Sequence, residues 1–146
     1  MTTLNKIKNN LQSLIKDIPI AMLTTRNRSG ALHSRPMVTH EQDNDQIIWF
    51  FSEEKTQKND DITDFSQVNI AYGDSVGHRY ISICGQAEKI TNRDLIKKHW
   101  RPHYMKWFPQ GPDNPNLILL KITPDHISYW ISPSDWAEKS LPLVNG

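Results

Sequence analysis

Ile20-Ala-Met-Leu-Thr-Thr25, Arg26-Asn-Arg-Ser-Gly30 and Ala31-Leu-His-Ser-Arg-Pro-Met-Val-Thr-His40 decide the fold. The first stretch is an apolar run, the second a polar cluster ending in glycine, and the third a second extended run. Two strand-like runs joined by a short glycine-ended link read as a hairpin. Hairpins imply antiparallel pairing. The pattern continues along the chain. Ile47-Ile-Trp-Phe-Phe51 follows the polar turn Glu41-Gln-Asp-Asn-Asp45 as a third strand. Val68-Asn-Ile-Ala-Tyr72 is a fourth, and Tyr80-Ile-Ser-Ile-Cys84 a fifth that continues through Gly85 to Ile90. Asn116-Leu-Ile-Leu-Leu-Lys-Ile122 and His126-Ile-Ser-Tyr-Trp-Ile131 are predicted as two further strands, broken at Thr123-Pro-Asp125 because proline cannot donate to a ladder.

Only short helices interrupt these strands. Leu4, Ile7, Leu11, Leu14, Ile15 and Ile18 recur at steps of three and four, which predicts an amphipathic helix over residues 1–18, ended before Pro19. Residues 58–64 are predicted as a second helix. Asn92 caps a third over residues 93–100, and Pro102 starts a fourth that reaches Phe108. Residues 137–146 read as a loose tail. Six or seven mostly antiparallel strands with short helices make a mainly β (α+β) chain, a single domain over residues 1–146. Such a sheet closes on itself to remove its edges.

Composition removes several function classes. Lys plus Arg is 17 and Asp plus Glu is 16 in 146 residues, a balance that argues against nucleic acid as a main partner. The apolar runs are far shorter than a membrane-spanning helix needs, and the N-terminus lacks the apolar core of a secretory signal. The single cysteine, Cys84, fits a reducing compartment, so a cytoplasmic protein is expected. Cys84 lies among Ile81, Ile83 and Ala87 and reads as a small buried thiol. His99 and His103 stand four apart, but Pro102 falls between them and no glutamate accompanies them, so no metal site is expected. No nucleophile elbow and no phosphate-cradling glycine loop is present.

Trp49-Phe-Phe-Ser-Glu-Glu-Lys-Thr-Gln-Lys58 is more informative. An apolar strand ends in Ser52, and Thr56, Gln57 and Lys58 open a helix. Hydroxyls, helix amides and one lysine can hold a phosphate, although a plain capped surface helix explains the same spacing. Lys58 is one of only three cations among residues 38–85, against nine acids. Arg35, set before Pro36, can face a flat electron-accepting ring or a carboxylate, or simply be an exposed strand arginine. Trp130 reads as core or as a stacking wall.

Together, Ser34-Arg-Pro-Met37, Trp49-Phe-Phe-Ser52 with Lys58, Val68-Asn-Ile-Ala-Tyr72, Tyr80-Ile-Ser-Ile-Cys-Gly-Gln-Ala87, Trp107-Phe-Pro-Gln-Gly-Pro112 and Ile127-Ser-Tyr-Trp130 resemble the pyridoxamine 5'-phosphate oxidase-related flavin-binding split-barrel family, in its general stress protein 26-like branch. The resemblance implies a six-stranded antiparallel split β-barrel, a homodimer, and FMN at the subunit interface. It places the second-strand segment from Arg35 to His40, with Arg35, Pro36, Met37 and Val38 as cofactor contacts, along the flavin ring. It puts Phe51 and Ser52 at the end of the third strand beside the cofactor. Thr56, Gln57 and Lys58 fall in the phosphate turn, and Trp130 closes the site from one or the other subunit. Three departures stand out. Gln57 replaces an arginine of the phosphate turn, Tyr80 a flavin-contacting glutamine, and His40 a lysine used by the substrate. The tail after Trp130 also lacks the Arg-x-His motif of the oxidases, which speaks against oxidation of pyridoxamine phosphate. The resemblance implies an FMN-dependent oxidoreductase of unknown small-molecule substrate. The alternatives are a non-catalytic flavin-binding stress-response module, or a relative that uses FAD, a deazaflavin or haem.

Overall fold

The computed structural model describes residues 11–40, 46–131 and 136–143. Leu11–Ile15 (α1) is helical within the predicted N-terminal helix, and Leu4 and Ile7 lie outside the described residues. The hairpin of the first two strands forms as expected. Ile20–Arg26 (β1) pairs antiparallel with Leu32–Val38 (β2), setting Leu23 opposite Arg35. The side-chain oxygen of Asn27 accepts from the backbone N–H groups of Ser29 and Ala31, and Gly30 takes the positive φ of 88° that closes the turn.

Ile48–Glu53 (β3), Gln57–Asp64 (α2), Gln67–Asp74 (β4), Arg79–Ile90 (β5), Arg93–His99 (α3), a 3-10 turn at Pro102–Lys106 (η1) and Leu117–Ile131 (β6) follow in order. Lys139–Leu141 (β7) completes the described elements. The sheet runs β2-β1-β4-β5-β6-β3, with β7 paired to β6, and every pairing is antiparallel. Its two end strands, β2 and β3, approach each other, so the sheet curls into a barrel split along that seam.

Two expectations about the C-terminal third are corrected. β6 is one fifteen-residue strand, not two, and it runs through Pro124. Cys84 pairs with His126 while Gly85 pairs with Pro124, so Asp125 is an extra residue bulged out of the ladder. On its other side, β3 pairs with β6 only as far as Ile122 and β7 begins at Ile127. Pro124 falls in that gap, where its missing N–H has no partner to lose. The tail is also not loose throughout. Leu141 is buried opposite Ile127, in a strand of three residues that carries no periodic signal.

The barrel interior is a core of Ile and Leu with Phe50, Tyr72 and Tyr129. A second, smaller core lies outside it, where Phe51, Leu117 and Leu119 pack under α3 and η1 against Ile96 and Tyr104. β6 serves both cores. Leu117, Ile118, Leu119 and Leu120 are all buried because alternate side chains face alternate cores. Alternation along β5 likewise turns Cys84 outward, away from Ile81, Ile83 and Ala87, and its thiol is exposed rather than buried.

At the bulge the strands approach closely. A methyl group on Gly85 would lie 2.6 Å from the backbone oxygen of Thr123. Gly85→Ala is therefore expected to destabilise the fold by about 1–3 kcal/mol. Urea unfolding checks this, and an unchanged midpoint would mean the bulge absorbs the methyl group freely.

Candidate functional site

The seam between β2 and β3 opens a pocket of about 270 Å³ on the side of the second core. Pro36, Met37 and Val38 line it from β2, Phe51, Ser52 and Glu53 from β3, Thr56 from the turn, and Trp107 and Phe108 from beyond η1. Six of the ten residues expected at a cofactor site meet here. Trp107 and Phe108 complete the wall, and they were legible only as part of a proline-rich loop motif.

Lys58 stands behind Ser52 and Thr56. Its ammonium donates to the hydroxyl of Ser52, to Thr56 Oγ1 at 3.0 Å and to Asn59 Oδ1 at 3.4 Å. All three acceptors are neutral, and among the described residues no carboxylate pairs with it. The residue is 8% exposed. Burial, with help from the nearby Arg35 charge, pulls the ammonium down to about 8, and Glu53 opposes this. Arg35 donates to Thr25 Oγ1 at 2.7 Å and to the carbonyl of Leu23 at 3.3 Å. Burial lowers its guanidinium too, and Asp61 counters. Two desolvated cations thus share one neighbourhood.

The turn that carries Lys58 is knitted by Asn59, fully buried at 0% exposure, whose amide donates to the carbonyls of Glu53 and Glu54. Asn59 was not singled out from sequence. The signal was a helix, Gln57–Asp64, with a single apolar residue, Ile62, so that polar contacts must hold it. Thr56 occupies the cap position, but its hydroxyl makes no cap bond. It donates to Glu53 O at 3.4 Å and accepts from Lys58.

The remaining expected residues lie elsewhere. Gln57 turns away from the pocket, donates to Asp61 Oδ1 at 3.1 Å, and lines a separate polar groove with Arg28, Asp60 and Lys89. Trp130 pairs with Tyr80, eleven residues along β6 from Leu119, the partner of Phe51, and is not part of this chain's own pocket.

Behind Phe51 sits a polar cluster that sequence reading noted only in pieces. His40 is buried, with Nδ1 hydrogen-bonded to the Tyr104 hydroxyl and Nε2 3.1 Å from His99 Nδ1. His99 stacks on Trp49 and His103 packs on Tyr104. No cluster of three metal-ligating side chains occurs among the described residues. Burial, reinforced by His99, Arg101 and His103, pulls His40 from 6.5 to about 3. The unfolded chain therefore binds a proton below its ordinary value that the folded chain refuses. This contribution to stability is complete above about pH 6.5 and is lost as the pH falls toward 3. Stability is expected to decline by about 1–2 kcal/mol from pH 7 to pH 5 on this account. His40→Gln should flatten the decline in chemical unfolding, and equal slopes would acquit His40.

Comparisons with known proteins place the chain by family and fold. The chain is 28% identical to Protein bli-3 of Neurospora crassa over 148 residues, covering 94% of this chain and 71% of that protein. It is 29% identical to General stress protein 26 of Bacillus subtilis over 103 residues, covering 68% of this chain and 71% of that protein. The crystal structure of the general stress FMN/FAD binding protein of Xanthomonas citri superposes with a TM-score of 0.70 at 25% identity, covering 97% of this chain and 96% of that one. Among the described residues, no helix is long and apolar enough to cross a membrane. The family model described as pyridoxamine 5'-phosphate oxidase like matches residues 6–145, and the chain belongs to that family.

Proposed function

We propose that this protein binds FMN in the seam pocket and acts as a flavin-dependent oxidoreductase on a small molecule, in the cytoplasm and as a homodimer. The observation that carries the reading is Lys58. A buried ammonium held by three neutral oxygens, near a second, partly buried cation and directly behind the Ser52 and Thr56 hydroxyls that line an apolar pocket, is complementary to a phosphate. The named flavin ligand of the Xanthomonas citri relative supports the same reading. FMN, when bound, supplies the electron-transfer chemistry. Lys58, Ser52 and Thr56 hold its phosphate, with Arg35 adding positive charge. Phe51, Val38, Met37 and Pro36 give the ring an apolar surface and keep water from it. Among the described residues lining the pocket, Glu53 alone is ionisable, so these residues offer little acid–base help, which suits hydride transfer. The same observation fits a flavin carrier without turnover. Reduction of the bound flavin by a nicotinamide donor, followed by reoxidation with an acceptor, separates the two.

A pocket of about 270 Å³ is small for such a ligand, so the site is completed from outside the chain. A second copy is the source we favour. Ile20, Met22 and Leu32 expose apolar surface on β1 and β2, and Trp130 lies outside the seam pocket of its own chain. A dimer at micromolar concentration is expected by light scattering, with Trp130→Ala weakening flavin binding. A monomer that holds flavin fully would exclude the shared site.

Purified protein is expected to show the visible absorption of oxidised flavin, and mass spectrometry of the released cofactor distinguishes FMN from FAD and deazaflavin. Lys58→Ala should weaken FMN binding by about 1.5–3 kcal/mol through loss of one charge-assisted contact. Because the free lysine titrates at about 8, FMN affinity should fall as the pH rises past that value. Fluorescence titration reads both effects. Unchanged affinity in Lys58→Ala would remove Lys58 from the site.

A further inference from the structure

We propose that His40, Tyr104 and His99 are positioning residues of the pocket: they lock Phe51 and the segment carrying Trp107 and Phe108 in place as its wall, and they do so only while the cluster is not loaded with protons. The wall role rests on the seam pocket being the ligand site. The locking itself does not.

The connection is short and continuous. The carbonyl of Tyr104 accepts from the backbone N–H groups of Trp107 at 3.0 Å and Phe108 at 2.9 Å, so the position of Tyr104 sets both wall residues. The Tyr104 ring lies 5.3 Å from that of Phe51, and His40 meets Phe51 edge-on at 6.0 Å. What fixes Tyr104 from the barrel side is the hydrogen bond between its hydroxyl and His40, sixty-four residues earlier in the chain. His40 follows β2 with no intervening element, so the latch ties the barrel's end strand to the layer outside it. Trp107 itself is 42% exposed and has little burial of its own to hold it.

The same arrangement makes the latch acid-sensitive. The link between His40 Nε2 and His99 Nδ1 has room for one proton. With both rings doubly protonated, two N–H groups would face each other across it. Among the described residues, the other groups whose charge acts on His40 are Arg101 and His103, and no carboxylate does. Every added proton is therefore opposed by its neighbours. Tyr104, Phe51 and Trp49, the aromatic neighbours, supply no compensating charge at acid pH.

The test compares ligand-free wild type, Tyr104→Phe and His40→Gln by amide hydrogen exchange at pH 7.5 and pH 5.5, corrected for intrinsic rates, with FMN titration beside it. In wild type, exchange over residues 103–111 is expected to rise at the lower pH, because the opened segment takes up a proton on His40 that the closed one refuses. Tyr104→Phe keeps the ring and should show the faster exchange already at pH 7.5, with roughly five- to tenfold weaker FMN binding. The amide of His40→Gln can accept from Tyr104 and donate to His99, so this variant should keep the slow exchange and lose most of the pH response. Wild-type exchange and affinity in Tyr104→Phe would overturn the proposal. So would a full pH response of the exchange in His40→Gln, which decides the matter alone if Tyr104→Phe does not fold. Wild type that binds no FMN would end the flavin reading, and the exchange results would then decide the lock by themselves.

Discussion

Four consecutive residues of β6, Leu117 to Leu120, have no face left for solvent. A strand in an antiparallel sheet ordinarily keeps one side wet. Here one side fills the barrel, so the other must be covered by something outside it. The α3–η1 segment does this, and its placement follows from that demand. Ile96 and Tyr104 come down on Leu117 and Leu119, and Phe51, the partner of Leu119 across the ladder, is drawn into the same cluster. The pocket forms where this outer layer reaches the split between β2 and β3. Its apolar wall is thus a by-product of a strand that serves two cores.

The polar end of the pocket has the opposite origin. Moving Lys58 from its usual value of 10.5 to about 8 corresponds to roughly 3 kcal/mol spent on desolvating the charged form. A fold that needed only stability would place an apolar side chain there, or a carboxylate beside it. Instead the ammonium is surrounded by hydroxyl and amide oxygens that satisfy its hydrogens and leave its charge uncancelled. Arg35 contributes to that cost, and Glu53 offsets part of it. An anion would recover it, which is why the charge arrangement speaks for a ligand more clearly than the shape of the cavity does.

Much of the fold was legible because alternation is local. The β1–β2 hairpin and the long β5 follow from residue types a few positions apart. The misreadings share one cause, which is that the deciding partner is distant. Pro124 breaks a strand only if its nitrogen faces a neighbour, and the gap between β3 and β7 that spares it is a property of the sheet. Cys84 is exposed by the parity already visible in Ile81 and Ile83; taking its neighbours as its environment obscured that. Lys139–Leu141 is too short to signal itself. In the pocket, residues 36–38 and 51 came through the family likeness and Ser52 and Thr56 also from the strand-to-helix pattern, whereas Gln57 and Trp130 are the positions where the likeness and a single chain part ways. The tie between His40 and Tyr104 spans sixty-four residues, and no local pattern could join them.

The two ends of the pocket are also held with different rigidity, and this has a consequence for how a ligand would enter. The anion end sits on a turn whose carbonyls are bonded by the fully buried Asn59, between β3 and α2. Nothing there can move without exposing buried polar groups, each of which would lose its partner. The aromatic end rests on Trp107 and Phe108, directly past a single 3-10 turn, with both backbone N–H groups bonded to the Tyr104 carbonyl and Phe108 packed on the outer core. A ligand with a charged tail and a flat apolar head would dock its tail on the fixed end first and have its head enclosed by the movable one. Affinity for the tail and access for the head are thus controlled by separate parts of the chain, and substitutions in one need not disturb the other.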